Sequence, residues 1–402
     1  MRRQLLGLGF AAASSLLALH AAQAMTGPQP ITIDGGPLGS LSLSGGVDGY
    51  GYYQSNVPDG ITDDGVNLGS GIVELQKTSG VLQFTIMLGS QGGVITVGAN
   101  TNYGGGYYNN RLPQTTISNF STGPLYEGYI TVAPPNSPVT VSAGFLPSLE
   151  GYEAGLDWNN PSQLVTSIYY VQNSNARGVQ AAVTEGPVTA TVQFGDGFDT
   201  GVFNFLQALV SYDINSSNVL NVYYGGNLGR TGLNAKIYSG NCTYGDNTTP
   251  GCYGRVGSYG AQFVNSQMLG AYYSYTMGNL NLVPEVQYVY AKTDHMVGLD
   301  KSTSNFAGAV FADYAFANTP YSLGGWLSYE DSIGNYSWYA GPKSEAVSFA
   351  VSPTWQYKDL FARLNGGAAY LLNNKQFSTA SYGDHGTDKV QFTGTLEAGL
   401  LF

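Results

Sequence analysis

The sequence predicts an all-β fold: a transmembrane antiparallel β-barrel of about 16 strands, with short periplasmic turns and long extracellular loops. Three observations predict it. Stretches of the chain alternate apolar and polar residues with a period of two, as a strand with lipid on one face and water on the other must. The connections between those stretches alternate as well, short then long. The chain also closes on such a strand, ending at Phe402.

Taken in order, the amino terminus carries Arg2 and Arg3, an apolar run from Leu5 to Leu19 and the small-residue site Ala22-Gln23-Ala24. That is the layout of a secretory signal peptide over residues 1–24, with cleavage expected after Ala24, and the run is too short to span a membrane comfortably. Cleavage would remove 24 of 402 residues and two of the 15 basic ones, leaving 26 acidic residues in clear excess. Residues 25–40 read as a short periplasmic lead-in, and 41–402 as one barrel domain.

The clearest strands follow. Leu82, Phe84, Ile86 and Leu88 alternate with Gln83, Thr85 and Met87. Val139, Val141, Ala143 and Phe145 alternate with Thr140, Ser142 and Gly144, and Val188 to Phe194 repeats the pattern. Val347, Phe349, Val351, Trp355 and Tyr357 alternate with Ala346, Ser348, Ala350, Thr354 and Gln356. In the last strand, Phe392, Leu396, Leu400 and Phe402 alternate with Gln391, Thr393, Thr395 and Glu397. A terminal strand ending in Phe402 is the expected signal to the barrel-assembly machinery. Tight turns fall at Thr78–Gly80, Ala133–Pro138, Thr184–Pro187, Ile214–Asn218, Gly278–Asn279, Ala317–Pro320 and Lys358–Asp359. Seven such turns, with both ends of the barrel periplasmic, require sixteen strands and eight outer loops. Pro284 and Pro353 fall inside predicted strands. A proline cannot donate to a ladder, so bulges or slipped register are expected there.

Composition agrees. Only 10% of residues are charged, against roughly 25% in soluble domains. The 31 tyrosines suit interfacial girdles, and the 56 glycines suit curved sheet and long loops. No long apolar run supports a helical membrane protein. The acidity argues against nucleic-acid binding, and the abundance of aromatic and β-branched residues against disorder. Cys242 and Cys252, the only two cysteines, sit in one Gly/Asn/Thr-rich stretch. In an exported protein they are expected to form a disulfide pinning an outer loop.

The stretch from Val139 to Val183 resembles a known family. It holds Ala143-Gly144-Phe145 at a strand end, then Leu149-Glu150-Gly151-Tyr152-Glu153, and a loop with Trp158, Asn159, Asn160, Tyr169 and Tyr170. Arg177-Gly178-Val179 opens the next strand. This is similar to the OmpL-like outer-membrane β-barrel porins of Gram-negative bacteria. The resemblance implies a passive outer-membrane channel, reached after export to the periplasm. Phe145 stands where a lysine often follows the glycine, so no basic constriction residue is implied there. In similar porins a loop at this place folds into the barrel. Loop 147–176 is therefore the candidate constriction, with Glu150, Glu153 and Asp157 narrowing the pore. The alternative is a solvated outer loop whose acids hold divalent ions between lipopolysaccharides.

The inward parity of the strands collects Asp48, Glu74, Glu127, Glu285, Asp313, Glu330 and Glu397 against Arg363 alone. A negative lumen concentrates cations, modestly in a wide pore, because salt screens at about 8 Å. Glu397 and Arg363 fall at similar heights on adjacent strands, close enough to pair. Arg111, Arg230, Lys236, Arg255, Lys292, Lys301, Lys343 and Lys375 gather outside the strands, and Arg177 belongs to the rim. Tyr103, Tyr107, Tyr108, Trp158, Tyr169 and Tyr170 lie in loops, as packing or as stacking platforms for sugars. Once the signal is removed only His295 and His385 remain, with no local nucleophile–base pattern. The function expected is passive diffusion of small hydrophilic solutes or ions, mildly cation-preferring and without catalysis. Outer-membrane lipid and lipopolysaccharide are the expected surroundings, with no cofactor or metal, and both monomer and homotrimer stay open. A non-conducting surface barrel acting as an adhesin, and a barrel hydrolase, are the rivals.

Overall fold

The structure, a computed structural model, describes residues 25, 27–57, 63–90, 92–98, 124–173, 175–198, 200–231, 260–336, 338–374, 382–383 and 385–402. The predicted signal peptide, both cysteines and their expected disulfide lie outside these residues.

Sixteen strands build the wall: β1 (Ser40–Gln54), β2 (Asp64–Lys77), β3 (Leu82–Ser90), β4 (Leu125–Val132), β5 (Val139–Leu146), β6 (Ala176–Glu185), β7 (Val188–Asp196) and β8 (Phe203–Asn215). They continue as β9 (Asn218–Asn227), β10 (Ser266–Met277), β11 (Leu280–Ala291), β12 (Thr303–Ala315), β13 (Tyr321–Ile333), β14 (Ser344–Tyr357), β15 (Leu360–Asn374) and β16 (Val390–Leu401). Each pairs antiparallel with the next. β16 then pairs back onto β1, with Gly399 opposite Asp48 and Leu401 opposite Gly46. The sheet is closed and has no edge to leave unsatisfied in lipid. Below the end of β16 the first residues of β1 pair instead with a short strand, Ile31–Asp34, inside the lead-in segment. Phe402 and Gly45 exchange two backbone hydrogen bonds of 2.8 and 2.9 Å at that junction.

Burial is inverted relative to a soluble protein. On β16, Gln391, Thr393, Thr395 and Glu397 are buried, while Phe392 and Leu396 are exposed, Leu396 at 62%. On β3, Gln83 and Thr85 are buried between exposed Leu82, Ile86 and Leu88. On β14, Ser348, Ser352 and Thr354 are buried between exposed Phe349, Val351 and Trp355. Apolar rows facing outward with polar rows inward require lipid outside.

The short connections, at 78–81, 133–138, 186–187, 216–217, 278–279, 316–320 and 358–359, fall where the sequence predicts them. In three of the two-residue turns the backbone enters the left-handed region, with φ +56° at Gly186, +59° at Gly278 and +54° at Lys358, as tight hairpins of matching twist demand.

Two expectations need correction. Phe145, assigned to the lipid face of β5, is buried. It sits at the strand's outer end, after Gly144 with φ +144°, where the chain turns inward. Pro284 and Pro353 cause neither a bulge nor a slip. Pro284 pairs with Val310 on β12, while the ladder toward β10 passes from Tyr272–Glu285 to Tyr275–Leu282 in unchanged register. Pro353 pairs with Leu323 on β13, and the ladder toward β15 passes from Val351–Gly366 to Thr354–Arg363, again in register. Each proline, lacking an N–H, interrupts the ladder on one side only. The long connection after β3 contributes a short strand, Ile95–Thr96, paired in parallel with Leu164–Val165.

Candidate functional site

The chain leaving β5 does not run out over the rim. Residues 147–173 hold a single helical turn at Asp157–Asn159, the strand Leu164–Val165 and a helical turn at Ser167–Val171. Their apolar residues Leu164, Val165, Ile168 and Val171 are fully buried. Polar side chains on the inner wall hold the segment from all sides. Gln207 on β8 accepts from the Leu149 N–H at 2.9 Å. Gln172 donates to Gln287 on β11 at 2.9 Å, and Asn281 on the same strand donates to the Tyr152 hydroxyl at 3.2 Å. The Trp326 indole on β13 donates to the Leu164 carbonyl at 2.6 Å. Asn365 on β15 accepts from the Gln163 N–H at 3.2 Å, and Ser70 on β2 donates to Asp157 at 2.9 Å. A segment bonded to strands spread around a closed ring lies across its interior.

Outer-loop side chains close over it. Tyr170 meets Tyr339 edge-on at 6.0 Å, and Phe263 packs on Trp338 at 5.1 Å between ring centres. Tyr382 donates to the Gly98 carbonyl at 2.7 Å. The interior of this barrel is therefore furnished with aromatic rings as well as with water-facing polar groups.

The three loop acids are buried but serve separate ends. Glu150 accepts from the Asn173 N–H at 2.7 Å. Glu153 turns back on its own segment, accepting from the Thr166 N–H at 3.0 Å and from its hydroxyl. Burial pushes the Glu150 carboxyl up to about 7 and that of Glu153 to about 8, the Asn173 and Thr166 donors offsetting part of the rise. Asp157 alone joins the wall acids: one carboxylate oxygen from each of Asp48, Asp157 and Glu397 lies within 4.8 Å of the others. Arg363 completes that group. It grips Glu397 through two hydrogen bonds of 2.8 and 3.1 Å and donates to the Asp157 and Asn160 carbonyls at 3.0 and 2.9 Å. The pairing of Arg363 with Glu397 agrees with their inward parity.

The other wall acids stand apart. Glu285 accepts from the Tyr223 hydroxyl at 2.7 Å. Glu330 accepts from Ser332 and Ser344, both at 3.0 Å. Asp313 is buried, whereas Glu74 and Glu127 are half-buried and retain contact with water. Arg363 is the one basic side chain fully buried among the described residues. Arg177, placed at the rim by the sequence, pairs with the buried Asp196. His295 is exposed beside Asp300.

Sequence reasoning missed the docking residues on the wall: Ser70, Gln207, Gln287, Trp326 and Asn365. Their inward parity was visible; that they meet a loop rather than water was not. A family model described as "putative beta-barrel porin-2, OmpL-like" matches residues 40–402. The chain belongs to this porin family. No curated protein matches the porin significantly. Among solved structures it is similar to the outer membrane channel DcaP of Acinetobacter baumannii, at TM-score 0.55 and 10% identity over 90% of this chain and 97% of that one. It is similar to an anion-selective porin from Comamonas acidovorans, at TM-score 0.54 and 12% identity over 90% and 99%. It is also similar to OmpF of Salmonella typhi in complex with daunomycin, at TM-score 0.52 and 12% identity over 92% and 100%. At these identities the likeness is one of fold. The porin is a channel protein of the bacterial outer membrane.

Proposed function

We propose that this porin passes small hydrophilic solutes or ions by passive diffusion with a mild preference for cations, and that residues 147–173 set the size limit. The observation that carries the reading is the acidity of the interior wall: among the described residues, acids at seven strand positions face one buried base, and that base is held by Glu397. Such a lumen draws cations electrostatically. The half-buried pair Glu74 and Glu127 retains contact with water and contributes most directly.

The test is single-channel recording with a salt-gradient reversal potential on the refolded protein. Stable conductance with cation preference is expected, reduced in Glu74→Gln with Glu127→Gln. A reversal potential of anion-selective sign would sink the selectivity reading while leaving the channel intact.

The aromatic closure over the segment favours a narrow or gated channel over a wide one. Silence in the bilayer from a folded barrel would turn the reading toward gating or toward surface adhesion. No catalytic step belongs to this reading. A homotrimer fits it, since one similar structure, OmpT of Vibrio cholerae, is described in trimer form.

A further inference from the structure

The group formed by Asp48, Asp157 and Glu397 is not balanced by what surrounds it. Arg363 neutralises Glu397, binding both of its oxygens. That leaves two carboxylates. Asp48 accepts from the Ser70 N–H through Oδ1, and Asp157 accepts from the Ser70 hydroxyl through Oδ1. Their Oδ2 atoms are fully buried and have no hydrogen-bond donor among the described residues. The Arg363 guanidinium comes only within 3.9 Å of Asp157 Oδ2. An orphaned anionic oxygen inside a protein is costly, and two of them lie in one group.

We propose that these residues form a binding site for one hard divalent cation, with calcium as its ligand. One such ion neutralises the two charges that Arg363 leaves. The donors are all carboxylate oxygens, the set that calcium takes, and among the described residues no nitrogen or sulfur donor joins them to select zinc. Oxygens within 4.8 Å of one another can share a centre at about 2.3–2.6 Å from each.

The backbone is shaped for the same end. The ladder between β1 and β2 shifts register between Val47 and Gly49. Asp48 therefore sits in a bulge, which re-aims a side chain. On either side only glycine leaves room: a Cβ at Gly69 would lie 1.9 Å from Asp48 Oδ2, and one at Gly93 would lie 2.0 Å from Asp157 Oδ1.

The ligands come from three places: β1, β16 and the segment across the lumen. The ion therefore fastens the segment to the seam where the last strand closes on the first. The site does not depend on the selectivity of the channel.

The experiment is terbium luminescence on the purified, chelator-stripped, refolded barrel, with terbium as the calcium probe and Trp158, next in the chain to Asp157, as the sensitiser. The expected result is one saturable site that calcium displaces and magnesium displaces poorly. Its affinity should fall at least about tenfold in Asp48→Asn, and its emission should fall in Trp158→Phe with affinity unchanged. Emission that is equal in wild type and Asp48→Asn would mean surface binding only and would overturn the proposal. Should Asp48→Asn fail to fold, the wild type decides alone: a rise in melting temperature with calcium over chelator is expected. No rise means that the carboxyls are balanced by protons instead.

Discussion

At the scale of single residues, Arg363 carries the most consequence. It is buried, ties β15 to Glu397 on β16, and holds two carbonyls of the crossing segment. Replacing it by methionine strands the acids around it. Breaking a buried pair in this way costs roughly 3–5 kcal/mol, so denaturant unfolding of Arg363→Met should show a loss of that order. Arg363→Met with Glu397→Gln should recover part of it. Glu153 offers a second prediction. Burial, with Glu285 adding like charge, holds its carboxyl near 8 while the segment is docked, against 4.5 when free. Docking then favours the protonated form. It is strongest below the free value and weakens as pH rises through about 8. Channel noise from a loosening segment should grow between pH 5 and pH 9, and Glu153→Gln should flatten the dependence. A noise level independent of pH in the wild type would refute the assignment.

At the scale of elements, the strands were legible because their pattern is local. The parity of β16 and the seven tight turns can be read from neighbouring residues alone, and lipid enforces both. Phe145 was misread because parity says nothing about where a strand stops and the chain turns inward. The prolines were misread because register is held by both neighbouring strands, which carry it past one missing donor. The inverted faces make a direct prediction. Leu396→Arg on β16 should destabilise the barrel by roughly 2–4 kcal/mol if it lies near the bilayer midplane. In a soluble barrel an exposed leucine could take that change within about 0.5 kcal/mol. Unfolding into denaturant from lipid vesicles distinguishes the two.

At the scale of the whole molecule, the crossing segment carries the proposed size limit. The sequence offered loop 147–176 as a candidate constriction and marked Glu150, Glu153 and Asp157 on it. It did not reveal that Glu150 and Glu153 take their hydrogen bonds from the segment itself while Asp157 takes one from Ser70 on the wall. Those partners lie far away in the chain, among them Asn173, Ser70 and Arg363, and no periodicity connects them. Deleting residues 149–171 should raise single-channel conductance several-fold without unfolding the wall, since each strand keeps both neighbours. Unchanged conductance would mean that another element, such as the aromatic outer loops, sets the limit.

The seam between β16 and β1 also orders events in time. Asp48 is made well before Arg363 and Glu397. While the first and last strands are still apart, the acids that meet at the seam are divided between two ends of an open sheet. Ring closure is the step that assembles them into one charged knot. That knot is thus a record of completed biogenesis: its presence distinguishes a finished barrel from one stalled on the way.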